Sequence, residues 1–158
     1  MLGFQQQLLA DDNTKIKEFL NQVFQNDIPK PQRIWINKQK QLTIQQKFNP
    51  NKVKLNYRFW QQGETTLWIL DEIGKERDIT TGIVIRSNKI VKVQVLVYRE
   101  SRGGQVQNQR FTQQYNNKSS SNNFTKEIDS ISGATLSVNA LNKQVKLALW
   151  LNHQSNQP

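Results

Sequence analysis

Cysteine is absent from the chain, which removes disulfides and thiolate metal sites and leaves either redox compartment open. A single histidine, His153, sits in a polar C-terminal stretch, so no second imidazole is on hand for a metal centre and a solvated side chain is expected. No apolar run reaches the roughly 20 residues that span a bilayer. Met1-Leu2-Gly3-Phe4, followed by three glutamines, is too short for a secretory hydrophobic region. Apolar side chains are scarce at 35%, while Gln and Asn abound. Apolar periodicity continues between the amides, so the composition describes a polar surface and not a prion-like tract. There is also no Arg-rich block: the net charge of +10, from 22 Lys and Arg against 12 Asp and Glu, is spread along the chain. That charge fits a solvated basic surface, and equally an acidic partner, an anionic ligand, a membrane surface or nucleic acid, so a basic binding module without redox function is the alternative reading. No nucleic-acid motif is recognised, and no nucleic-acid partner is expected.

The 158 residues suit one domain with its own core, with 1–12 and 153–158 as flexible tails. Ile16, Phe19, Leu20, Val23 and Phe24 recur with the spacing of one buried helical stripe. The expected helix covers 13–25, capped by Asp12 or Asn13 and stopped by Pro29 and Pro31. Ile34-Trp35-Ile36 reads as extended, and 42–48 as a short helix before Pro50. Residues 54–60 and 66–70 form a hairpin through a Gln62-Gly63 turn. A second hairpin pairs 81–86 with 89–99 through Ser87-Asn88, with Val91, Val93, Val95 and Val97 on one face. Arg99-Glu100-Ser101-Arg102-Gly103-Gly104 follows that strand, where paired glycines open backbone conformations closed to other residues. Residues 116–123 are loop, and their Asn117 and Asn123 sequons are expected by chance in so amide-rich a chain. The last helix carries Val138, Leu141, Val145, Ala148 and Leu149 along one side.

Asp129-Ser130-Ile131-Ser132-Gly133-Ala134-Thr135 feeds that helix. Two readings fit. Ser or Thr before a helix serves as an N-cap. Small residues at a helix start also let an anion approach unpaired N–H groups.

Asp129-x-x-Ser132-Gly133-Ala134-Thr135 resembles the flavinylation motif of the FMN-binding domain family. That family includes flavin-carrying subunits of sodium-pumping NADH:quinone oxidoreductase and Rnf complexes, and smaller stand-alone proteins. Glu100-Ser101-Arg102-Gly103-Gly104 resembles the family's Glu-Thr-Pro-Gly loop. Thr81-Gly82-Ile83-Val84 and Val91 to Val97 look like the preceding family strands. The similarity covers 65–152, and Tyr57 to Lys75, with Trp60 and Trp68, looks closer to stand-alone members. Arg102 departs from the pattern, because the larger complexes carry Pro there.

These helices and strands predict an α+β fold: a twisted antiparallel sheet with an N-terminal helix and a C-terminal helix packed on it. The resemblance implies FMN joined by a phosphoester to Thr135, installed by a flavin transferase that uses FAD and magnesium. The cofactor-binding set it implies is Asp129, Ser132, Gly133, Ala134, Thr135 and Leu136 with Glu100, Ser101, Arg102 and Gly103. Arg102 would offset the phosphate or an anionic flavin. Asp129 would cap the turn or help the transferase dock, and Trp60, Trp68 or Tyr98 would either pack on the flavin ring or, as such residues more often do, lie in the core. Neither a catalytic acid–base pair nor a metal site is expected. The expected role is an electron carrier at a bacterial extracytoplasmic site, with a redox partner that is soluble or membrane-bound.

Overall fold

The computed structural model describes residues 2–158, with side chains from residue 10 onward. Five strands form one antiparallel meander in chain order: β1 (Gln32–Trp35), β2 (Asn56–Gln62), β3 (Thr65–Ile73), β4 (Asp78–Arg86) and β5 (Lys89–Tyr98). A long helix covers each face. The helix α5 (Thr135–Ser155) lies on one side with Ile79, Ile83, Ile85, Trp68 and Leu70. The helix α1 (Leu2–Phe24) packs Phe19, Leu20 and Phe24 on the other against Leu67, Val84, Leu96 and Val97. The fold is therefore the expected α+β sheet between an N-terminal and a C-terminal helix. A third helix, α2 (Lys38–Phe48), buries Ile44 in the α5-side core. Two single-turn helices, α3 (Gln109–Thr112) and α4 (Phe124–Glu127), lie between β5 and α5.

Several boundaries differ from the sequence expectation. Helix α1 begins at Leu2, so Asp12 and Asn13 are interior residues and do not cap. Thr14 returns its hydroxyl to the Ala10 carbonyl at 2.8 Å, the back-bonding that lets a threonine sit inside a helix. The expected tail at 2–12 is thus helical, and Met1 lies outside the described residues. At the other end α5 continues to Ser155, past the expected tail boundary at 153. Helix α2 starts four residues before Leu42 because Asn37 accepts the Lys40 amide at 2.8 Å as its cap. The first hairpin turns at Gly63-Glu64, one residue beyond the expected pair. Ser87 and Asn88 turn the second, both at positive φ as a two-residue hairpin of this hand requires.

The valine strand is the larger correction. Along β4 the faces alternate cleanly: Ile79, Thr81, Ile83 and Ile85 face α5, while Gly82 and Val84 face α1. Across the ladder, Ile85 pairs with Ile90 but Val84 with Lys92, and Thr81 pairs with Val95 but Thr80 with Val97. Val91 and Leu96 are each an extra residue, so β5 bulges twice. Ile90, Val93, Val95 and Tyr98 consequently join the α5 core, and Val97 joins the α1 core. Val91 is left half exposed. The four valines do not share a face.

Polar pegs fix α5 on the sheet. The buried Gln144 amide donates to the Leu70 and Ile79 carbonyls at 3.0 and 2.7 Å, and its oxygen accepts the Thr81 hydroxyl at 2.8 Å. Thr66 donates to Asn152 at 2.6 Å, and Tyr115 to Asn142 at 2.6 Å. Buried polar groups paired in this way demand one placement of the helix along the sheet. Its first turn therefore emerges at a fixed point beside the end of β5.

Candidate functional site

Three segments meet where β5 ends: the β3–β4 turn around Lys75, the loop after Tyr98, and the run into α5. They line an open cleft of about 440 Å³ formed by Lys75, Glu76, Glu100, Ser101, Arg102 and residues 133–137.

The helix wall is unusual in one respect. Ala134 holds the N-cap position and no side chain caps α5, so neither Ser132 nor Thr135 fills the capping role that was one of the two readings of this stretch. Gly133, at φ +80°, makes the turn before it, a conformation that a Cβ disfavours by roughly 1–2 kcal/mol. A Cβ there would meet nothing within 4 Å, so the space beside the helix start is open. Thr135 is the first helical residue and is exposed. The first-turn amides thus point outward without a side-chain acceptor, at the positive end of a 21-residue helix.

The loop wall is fastened to that helix. Tyr98 donates its hydroxyl to the Arg102 carbonyl, and the same oxygen lies 3.0 Å from Ser137 Oγ. Gly103, at φ +79°, presses beneath the first turn of α5. At the other wall, Glu100 Oε1 accepts three consecutive amides, Lys75, Glu76 and Arg77, at 2.7, 2.6 and 2.8 Å. The Arg77 and Glu76 N–H groups chiefly hold the Glu100 carboxyl below its ordinary value.

Of the residues named from the sequence, Gly133, Ala134, Thr135, Leu136, Glu100, Ser101 and Arg102 line the cleft. Gly103 is buried just under it. Ser132 and Asp129 precede the lining in the chain but do not form it; the Asp129 amide donates to Gln114 Oε1 at 2.9 Å. Trp68 is fully buried and stacked on Phe59 at 4.5 Å, and Trp60 lies in the α1-side core under Arg58. Neither indole reaches the cleft, and Tyr98 meets it by its hydroxyl bonds and not by an open ring face. Lys75, Glu76 and Ser137 were not read from the sequence. Ser137 sits two residues past the motif and carries no pattern of its own, and Lys75 reaches the site only through the pairing of β3 with β4.

An exposed hydroxyl at an uncapped helix start thus shares one cleft with Lys75 and Arg102. Residues 74–150, just under half of the chain, match the model of the FMN-binding domain family, and the assignment holds for that segment. The match runs from the cleft turn at Gly74 to Trp150 in α5, so it contains every wall of the cleft. No curated protein and no solved structure matches the chain significantly.

Proposed function

We propose that this chain carries FMN as a phosphoester on Thr135 and passes electrons through it. The observation that carries the reading is the Thr135 hydroxyl, exposed at the uncapped start of α5 within the matched domain. Attachment needs an accessible oxygen nucleophile, room for a phosphate, and positive potential for its charge. Thr135 supplies the first and the open space beside Gly133 the second. The helix start with Lys75 and Arg102 supplies the third; the helix contribution is about 0.3–1 kcal/mol at an exposed site.

In the transfer, the threonine oxygen forms a bond to the flavin-side phosphorus of FAD. The pyrophosphate bond breaks, AMP leaves, and the hydroxyl proton is released. A separate flavin transferase with magnesium carries out this step. Asp129, exposed six residues ahead of Thr135, suits contact with that enzyme better than contact with the phosphate it would repel.

Bound FMN supplies the redox chemistry; the chain holds and tunes it. Among the described residues no aromatic side chain lines the cleft, so the tether, and not stacking, keeps the flavin in place and leaves its ring open to a partner. Among the titratable cleft residues, Glu100 is occupied by three amides and held ionised. That disposition suits a carrier better than an enzyme with its own substrate. The +10 charge would steer docking to an acidic redox partner, soluble or membrane-bound, at an extracytoplasmic site.

The test is intact mass after co-expression with a flavin transferase. Wild type should gain one FMN, and Thr135→Ala none. A Thr135→Ala protein that keeps covalent flavin after denaturation sinks the assignment, and flavin lost on denaturing wild type shows non-covalent binding instead.

A further inference from the structure

The β3–β4 turn has no core anchor. Lys75, Glu76 and Arg77 are all exposed, and beyond the Ile73–Asp78 end of the ladder the turn is closed by the Gly74 amide on the Arg77 carbonyl at 3.0 Å. What immobilises it is Glu100, 25 residues beyond Lys75, through the three amides that converge on one oxygen. Successive N–H groups arranged in this way form an anion nest. Here the nest is filled from within the chain. Gly74 makes room for that carboxylate, since a Cβ there would stand 3.3 Å from Glu100 Oε1 and 3.0 Å from Ile79 Cδ1.

The loop bearing Glu100 is itself bolted to α5, through Tyr98 to Ser137 and through Gly103 under the first turn. Glu100 thus completes a continuous connection from the first turn of α5, across the loop, to the turn that carries Lys75. Core packing gives no reason to fix three exposed residues this firmly; a defined place for Lys75 in the cleft does.

We propose that Glu100 is a positioning residue, which holds the Lys75–Arg77 turn as the cleft wall facing Thr135 and so places the Lys75 ammonium against the anionic flavin. The proposal rests on the flavin reading above. Glu100 acts through the turn and not by contact with the cofactor, whose negative charge it would oppose. Lys75 is the residue that meets the ligand.

Two measurements separate this proposal from the reading beneath it. The first uses protein without flavin. Hydrogen exchange at the amides of 75–77 should quicken about tenfold or more in Glu100→Ala, with β4 and β5 unchanged. Glu100→Gln, whose carbonyl still accepts, should fall between. Unchanged exchange in Glu100→Ala overturns the clamp. The second uses flavin-loaded protein and a cycle of Lys75→Ala, Glu100→Ala and the double variant, read by flavin absorption and reduction potential. Each single variant should lower the potential, and the double should match Lys75→Ala alone. Faster exchange with an unshifted flavin, or additive shifts, overturns positioning through Lys75. A wild-type chain that never takes FMN refutes the flavin reading, and the positioning role with it, while the exchange result still judges the clamp.

Discussion

Gly103 packs so closely beneath the start of α5 that a Cβ on it would lie 2.9 Å from Ser137 Oγ and equally close to the Tyr98 hydroxyl. The loop and the helix therefore share one contact layer, and its thickness is set by a hydrogen atom. Gly103→Ala adds a methyl there and also strains a φ of +79°. A cost of about 1–3 kcal/mol is expected from the backbone alone, visible as a lower urea midpoint. Since the first turn of α5 must move to admit the methyl, flavin loading on Thr135 should fall with it. Ser137→Ala, which removes only a hydroxyl, should cost about 1 kcal/mol and keep most of the loading.

Two glutamates should respond to acid in opposite senses. The folded state holds Glu100 below its ordinary value of 4.5, so its contribution is present above that value and fades as pH falls through the folded one. Glu72 is raised, first by burial, although it accepts the Asn51 and Ile73 amides. Its charged form therefore weakens the fold above its folded value, and that penalty vanishes as pH falls towards 4.5. The amide shifts of Lys75, Glu76 and Arg77 followed by NMR should titrate below 4.5; a midpoint above it would contradict the geometry. Glu72→Gln should show a smaller rise in stability than wild type between neutral pH and 4.5.

The sheet was legible where one residue follows another at a fixed period. Runs of β-forming residues between turn signals marked 66–70 and 81–86, which are parts of the longer strands Thr65–Ile73 and Asp78–Arg86, and the two long helices declared their buried stripes. The bulges of β5 were not legible, because Val91 and Leu96 have the same strand preference as their neighbours. An extra residue is recognised only against the partner strand. The start of α1 was misplaced for a related reason: Asp12 and Asn13 have cap chemistry, and only the preceding turn of helix overrides it. At the site, small residues before a helix and paired glycines after a strand marked two walls from local chemistry. The third wall, Lys75 and Glu76, depends on a carboxylate 24 or 25 residues away, which no local pattern announces. Size and apolarity suit a core as well as a flavin, so the sequence left both roles open for Trp60 and Trp68, and the core holds both.

Gly82 has a different task from the glycines of the site. A Cβ on it would stand 2.4 Å from Phe19 Cε1, so the Phe19 ring lies directly on the β4 backbone. Gly82→Ala should destabilise by about 1–3 kcal/mol through overpacking, a fall of roughly 2–4 °C in Tm per kcal/mol for a chain of this size. If the clash with Phe19 is the cause, Gly82→Ala with Phe19→Leu should cost less than the two single changes added together. Additive costs would locate the strain in the strand instead.

Gln144 decides where α5 sits, and hence where Thr135 emerges. Its side chain satisfies the Leu70 and Ile79 carbonyls and the Thr81 hydroxyl, all out of reach of water. Gln144→Leu keeps the volume and removes the pairing, leaving buried groups that cost about 1–3 kcal/mol each when unmet. A large drop in urea midpoint is expected, with unfolding still cooperative because Leu141, Val145 and Ala148 remain buried along α5. Apolar packing alone permits α5 to slide by small steps along the sheet, whereas three directed hydrogen bonds do not. Thr135 lies nine residues towards the N-terminus, about 13 Å along the helix, so a slide at Gln144 is carried to the cleft undiminished. Flavin loading measured below the unfolding range should therefore decline in Gln144→Leu even where the protein is fully folded. Loading equal to wild type would show that the loop beneath Gly103, and not the peg in the sheet, sets the position of the helix start.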